Sequence, residues 1–338
     1  MLVRSFISGC ASLSLSAEEV QFFKKTNPWG LILFKRNCDS PDQIRSLVAQ
    51  FRAAVSHKDA PVFIDQEGGR VQRLGPPSHY WRKYPAAQEY GKQYERGASL
   101  ALRTARNVGR LMADDLYEIG ITSSCLPVLD VPQPGAHDVI GNRAYSMKTE
   151  HIIMLSRAHT VGLMEGGVLP VMKHIPGHGR AEVDSHHNLP IVKTPRIDLE
   201  QVDFLPFVAF ADCPMAMTAH VIYEALDPSN PATLSRKIIK NVVRKLIGFD
   251  GLLMTDDLSM KALGGTLSEK ASKAFSAGCD MLLHCNGVLA EMEEVAEAAV
   301  PLAGKSMRRA KQALKARRKP LPYDKKQALN ELEAILSV

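Results

Sequence analysis

Nine side chains that could do chemistry stand where apolar runs give way to polar residues. They are Asp65, Asp130, Lys173, His174, His220 and Asp256, with Asp184, His186 and His187 in one loop. A carboxylate held at the end of a rigid strand suits nucleophilic attack or the stabilisation of positive charge. Asp256, directly after Leu252-Leu-Met-Thr255, has that position. Its neighbour Asp257 points to the other face of a strand and is expected to cap a helix over Leu258–Ala262. In Asp184-Ser185-His186 an extended loop puts carboxylate and imidazole on one side. The carboxylate can then set the tautomer and basicity of the ring, which makes a general acid/base pair. A surface loop without function could carry the same triplet. The stretch from Asp65 to Arg73 adds an acceptor and two arginines around a Gly68-Gly69 turn, suited to sugar hydroxyls or an anionic group; a strand-end ion-pair network would use the same residues. His174 and His178 lie four apart, but Pro176 and Gly177 break the helical face that such spacing needs for a metal. No metal site is expected.

These residues need strands to hold them, and the chain supplies eight short apolar runs. They are Val3–Ser8, Gly30–Phe34, Pro61–Ile64, Ser123–Leu129, Val168–Met172, Pro214–Thr218, Gly251–Met254 and Cys279–Leu283. Helical patterns separate them. Ser16-x-x-Glu19 is a capping box, and Ser40-Pro41 opens a helix with Ile44, Leu47, Val48 and Phe51 on one face. A further helix is expected around Ala105–Ile119. Strands alternating with helices imply a parallel sheet. Eight such units imply a (β/α)8 TIM-type barrel, α/β in class, with its site at the C-terminal strand ends. An open doubly wound sheet would show a glycine-rich phosphate turn after the first strand, and Gly9-Cys-Ala-Ser-Leu13 is not one. With no linker or low-complexity stretch, residues 1–338 are read as one catalytic domain that ends in a basic helical segment from about 290 to 338.

Composition narrows the partners. The net charge is +6, but residues 305–326 hold ten Lys or Arg against one Asp, so the remainder is near −3. That pattern suits the solvated face of a helix, and no nucleic-acid motif accompanies it. Six scattered cysteines without a CxxC pair suit a reducing compartment. No apolar run approaches the ~18 residues of a membrane span. Ile7-Ser8-Gly9-Cys10 resembles a lipoprotein cleavage box, yet only three residues separate Arg4 from Gly9-Cys10's preceding Ser8. A signal core needs roughly 7–15 apolar residues. A cytoplasmic location is therefore expected, without membrane or nucleic-acid partners; oligomeric state is left open.

Four segments carry a resemblance to a known family. FIDQEGGRVQRL (63–74), VIGNRAY (139–145), KHIPGHGRAEVDSHHNLP (173–190) and MTDDLSM (254–260) together resemble family 3 glycoside hydrolases. Within that family they are most similar to the bacterial β-N-acetylglucosaminidases of peptidoglycan recycling, from about Ile7 to Asn286. The resemblance implies a (β/α)8 barrel and a retaining double displacement with no cofactor. It implies Asp256 as nucleophile, and His186 held by Asp184 as the acid/base dyad. It implies Asp65, Arg73, Arg143, Lys173 and His174 as the residues that hold N-acetylglucosamine. Two positions depart from the family pattern. Ile175 replaces the usual phenylalanine, and Asn142 replaces the usual aspartate before Arg143, which is expected to loosen that arginine. The substrate expected is a terminal β-linked N-acetylglucosamine on 1,6-anhydro-N-acetylmuramic acid or its peptides. The alternatives are a phosphorylase of the same fold, since a neutral imidazole repels phosphate less than a carboxylate would, and a non-catalytic sugar-binding barrel.

Overall fold

The computed structural model describes residues 2–185 and 188–337. Eight parallel strands close into a barrel: β1 Arg4–Ser8, β2 Pro28–Leu33, β3 Val62–Ile64, β4 Ser123–Ser124, β5 Leu169–Ile175, β6 Met215–Thr218, β7 Leu252–Asp257 and β8 Met281–His284. Each strand pairs with its neighbours in sequence, and β1 closes the ring against β8 through Phe6–Leu282 and Ser8–His284. The (β/α)8 reading of the sequence is what the molecule adopts.

Helices surround the barrel: α1 Ala17–Thr26, α2 Pro41–Ala54, α3 Ala87–Arg96, α4 Ala98–Glu118, α5 Thr149–Glu165, α6 Leu267–Ala277, α7 Leu289–Ala298, α8 Gly304–Lys315 and α9 Lys325–Leu336. Shorter helical turns lie between residues 196 and 209 and between 236 and 246. The local signals behave as their chemistry requires. Ser16 and Glu19 form the capping box of α1, and Ser40 accepts the Gln43 N–H with Pro41 in the first turn of α2.

Alternation along the strands makes two apolar layers. Ile7, Ile32, Phe63, Leu169, Val171, Met215, Met217, Leu252, Met254, Met281 and Leu283 pack in the interior cluster. Their neighbours Phe6, Leu31, Val62, Met172, Ala216, Leu253 and Leu282 pack outward with the helices. Ala310 and Ala313 of α8 are buried in the interior cluster, with Met307 and Leu314 beside them. Helix α8 therefore plugs the N-terminal end of the barrel with its apolar stripe. Its Lys305, Lys311 and Lys315 are exposed, so this part of the basic segment is a solvated helix face. Arg309, in contrast, pairs with Asp250 and Asp280, and Arg317 donates to Gly167 O beyond the helix end.

Three local expectations change. The Ser123–Leu129 run forms a regular ladder only at Ser123–Ser124, because Pro127 has no N–H to give. It stays beside β5 all the same: the Val171 N–H donates to Leu126 O (3.0 Å) and the Lys173 N–H to Pro127 O (3.0 Å). Strand β5 runs three residues past Met172, so Lys173 and His174 belong to the strand itself. Residues 258–262 form turns in place of the expected helix, which starts only at Leu267 behind its own Thr266–Glu269 capping box. Among the described residues no helix is long and apolar enough to cross a membrane.

Candidate active site

A cavity of about 210 Å³ opens at the C-terminal end of the barrel. Asp65, Arg73, Arg143, Lys173, His174 and Asp256 all line it, as do Glu67, His178, Ser185 and Asp257. Strand parity explains the convergence. Leu169, Val171 and Lys173 point inward in turn, and so do Leu252, Met254 and Asp256.

The cations are held by carboxylates. Lys173 Nζ is 3.0 Å from Asp65 and 2.7 Å from Glu67. Arg73 donates to the other oxygen of Asp65 at 2.9 Å. Arg143 gives both Nε and Nη2 to Glu67, each at 2.8 Å, and Nη1 to Val139 O at 3.1 Å. The loosening of Arg143 expected from Asn142 is therefore not seen; a two-pronged pair with Glu67 fixes the guanidinium. Asn142 leaves its buried Oδ1 without a hydrogen bond. Burial alone would raise the Asp65 and Glu67 pKa values. For Asp65, Lys173 and then Arg73 outweigh burial; for Glu67, Arg143 and then Lys173 do so, bringing it to about 2. Lys173 is correspondingly pushed up, against its own burial, by Asp65 and Glu67.

Asp130 organises the second wall. Wholly buried, it accepts the His174 ring Nδ1–H at 2.7 Å and the His178 backbone N–H at 2.6 Å. His174 is thereby oriented with Nε2 free of that bond. Close packing holds the following loop: a Cβ on Gly179 would stand 2.1 Å from Val131 O, so only glycine fits. Ser185, next to Asp184, is buried and shares a 3.0 Å hydrogen bond with His178 Nε2. Burial brings His178 down to about 4, so its ring is neutral at pH 7.

Asp256 is partly exposed to the cavity, and its Oδ1 accepts the Asp257 N–H at 2.8 Å. Burial opposes its ionisation, but His220, His174, the Asp257 N–H and Lys173 together bring its pKa below the ordinary aspartate value. It is an anion at neutral pH. Asp257 caps, as expected, but caps a turn. Its carboxylate accepts the Ser259 N–H (3.1 Å) and hydroxyl (2.6 Å) and the Cys285 N–H (3.1 Å), tying β7 to β8.

Asp184 is partly buried and does not line the cavity, whereas its neighbour Ser185 does. His186 and His187 lie outside the described residues. Sequence reasoning missed Glu67, His178 and Ser185 as parts of the site. Glu67 had a signal, since it stands two residues from Asp65 on an extended segment. His178 and Ser185 had none beyond their place in the loop.

A parallel barrel whose C-terminal rim collects an anionic aspartate and a hydrogen-bonding wall of paired charges belongs to the barrel enzymes. Comparison with known proteins narrows the class. Residues 6–316 match the glycosyl hydrolase family 3 N terminal domain, and the chain belongs to that family. It is 38% identical over 290 residues to a beta-hexosaminidase of Alkalilimnicola ehrlichii, covering 85% of this chain and 82% of the relative. A beta-hexosaminidase of Bordetella pertussis is 37% identical over 287 residues, covering 83% and 80%. The crystal structure of NagZ from Neisseria gonorrhoeae in complex with N-trifluoroacetyl-D-glucosamine superposes with a TM-score of 0.84. It has 32% identity and covers 100% of this chain and 96% of that one.

Proposed function

We propose that the protein is a retaining exo-β-N-acetylglucosaminidase that removes terminal N-acetylglucosamine from 1,6-anhydro-muropeptides in the cytoplasm. The observation that carries this reading is the ionised Asp256 facing the Lys173–Asp65–Arg73 and Arg143–Glu67 network across one small cavity. Drug-sized sites run from roughly 300 Å³ upward, so a cavity of about 210 Å³ suits a single sugar ring. Asp65, Arg73, Arg143, Lys173 and His174 would donate to and accept from the hydroxyl and acetamido groups. The beta-hexosaminidase relatives and the N-acylated glucosamine bound by the Neisseria gonorrhoeae protein support this substrate class. Six free cysteines suit a reducing compartment.

In this scheme Asp256 attacks the anomeric carbon while His186, held by Asp184, gives its proton to the departing oxygen. The covalent glycosyl-enzyme forms as the aglycone leaves as an alcohol. Water then attacks the same carbon, His186 takes its proton, and Asp256 is released as a carboxylate. The steps draw on side chains alone.

The test is hydrolysis of a chromogenic β-N-acetylglucosaminide by wild type and Asp256→Asn, with the matching β-glucoside as comparison. Turnover of the acetamido substrate that vanishes in the variant is the expected result. Turnover that persists in Asp256→Asn would move the nucleophile elsewhere, and none with wild type would favour a binding barrel. Sugar 1-phosphate accumulating in phosphate buffer would reveal a phosphorylase.

A further inference from the structure

Behind the cavity wall lies a set of buried side chains that the scheme above does not use. His220 follows β6, is wholly buried and does not line the cavity. Its Nε2 is 3.1 Å from Asp257 O, and its Nδ1 is 2.7 Å from Thr233 Oγ1. Thr233 Oγ1 is in turn 2.7 Å from Thr218 Oγ1 and 3.0 Å from Ala219 O. Thr218 and Thr233 are as buried as the ring.

The acceptors decide where the protons sit. A carbonyl oxygen can only accept, so Nε2 carries hydrogen and donates to Asp257 O. Burial lowers the pKa of this imidazole, Asp256 and Asp257 act against the change, and Lys270 reinforces it; the net direction is downward. The ring is therefore neutral at pH 7 with a bare Nδ1, and the single Thr233 hydroxyl proton is shared between that nitrogen and Ala219 O. Thr218 then donates to Thr233. Hydrogen bonds thus link Thr218, Thr233, His220 and the Asp257 carbonyl, which joins the end of β6 to the end of β7.

Both peptide groups of Asp257 are thereby committed. Its N–H orients the Asp256 carboxylate at 2.8 Å, and its carbonyl is gripped by His220. A rotation of either peptide about Asp257 would swing the carboxylate away from its aim. We infer that His220 is a positioning residue that clamps the Asp257 carbonyl and so holds the Asp256 carboxylate on the anomeric carbon, an inference that rests on Asp256 being the nucleophile. The neutral ring acts through geometry; a misplacement of about 1 Å can cost about 100-fold in rate.

Two substitutions separate a clamp from a space filler. His220→Leu keeps bulk and loses the donor, while His220→Gln returns an N–H near the position of Nε2. On the chromogenic β-N-acetylglucosaminide, His220→Leu is expected to lower kcat roughly 10- to 100-fold with KM unchanged, and His220→Gln to recover most of the rate. Thr233→Val removes the hydroxyl beside Nδ1; alone it should lower kcat in the same direction, and combined with His220→Leu it should add nothing further. It also serves as the test should His220→Leu fail to fold. A wild-type kcat in His220→Leu, or equal losses in Leu and Gln accompanied by a raised KM, would overturn the clamp. Wild-type turnover abolished by Asp256→Asn together with a normal kcat in His220→Leu defeats the clamp alone. An inactive wild type, or activity that survives Asp256→Asn, defeats the nucleophile reading and the clamp with it.

Discussion

Lys173 stands between Asp65 and Glu67, and Arg143 takes both oxygens of Glu67, so one carboxylate holds two buried cations. Breaking such a pair leaves uncompensated charge, which costs more than the pair itself stabilises. Glu67→Gln is therefore expected to lower stability by about 3 kcal/mol or more, measured by urea or thermal unfolding. Arg143 and Lys173 would also lose their fixed aim, so KM for the sugar should rise more than kcat falls. The sign with pH follows from the depressed pKa. The stabilisation from Glu67 is fully present above about 4.5 and is lost as pH falls toward about 2. The Gln variant should lack that part of the acid transition. An unchanged melting temperature and KM would show the pair to be incidental.

At the scale of elements, the segment after β5 is bound to the barrel at several points. Asp130 holds the His178 N–H, Gln133 N–H donates to Gly179 O at 3.2 Å, and His137 N–H donates to Ala181 O at 2.8 Å. Arg180 donates to Asp203 at 2.7 Å. Next to Asp184, the Ser185 hydroxyl is hydrogen-bonded to His178 Nε2 at 3.0 Å. Ser185→Ala removes it without altering the fold. The expected outcome is faster amide deuterium exchange across residues 181–185 in the free enzyme, with a reduced kcat and little change in KM. Exchange at the wild-type rate would show that backbone contacts alone hold the segment.

For the whole molecule, the decisive titrations belong to buried histidines, His159 on α5 and His178 just past β5 among them. Burial lowers His159 and His178 from 6.5 to about 4. Both rings are neutral in the folded state, so the unfolded chain binds more protons between those values. Their contribution is fully present above about 6.5 and is lost as pH falls toward about 4. Asp203, raised by burial from 3.8 to about 6, works in the opposite sense over part of that range. His220 and His284 are lowered by burial too, and Asp115 is raised by it. Four histidines thus oppose two aspartates, so the melting temperature is expected to fall between pH 6.5 and 4, before the Asp65 and Glu67 carboxylates are protonated. Scanning calorimetry across that range checks it, and a flat profile down to pH 4 would contradict it.

Much of this protein is legible before folding is considered. Eight apolar runs with polar C-terminal ends declare the barrel, because a strand buried on both faces must be apolar until it reaches the rim. The same rule picks out Asp65, Lys173 and Asp256, whose positions follow from alternation along strands that share one closed sheet. The capping box at Ser16 is equally local, since donor and acceptor lie three residues apart. What only the tertiary structure decided are pairings across large sequence separations. Glu67 meets Arg143, Asp130 meets His174, and His220 meets the Asp257 carbonyl, each through contacts that exist only once the barrel closes. The reversal over Asn142 has that cause: the local pattern named the residue beside Arg143, while its guanidinium is held by a carboxylate 76 positions away. The turn over residues 258–262 is similar, because the Asp257 carboxylate is drawn to the Cys285 N–H across β8 instead of capping a helix. Sequence periodicity records which face a residue presents; it does not record which partner the closed sheet brings to that face.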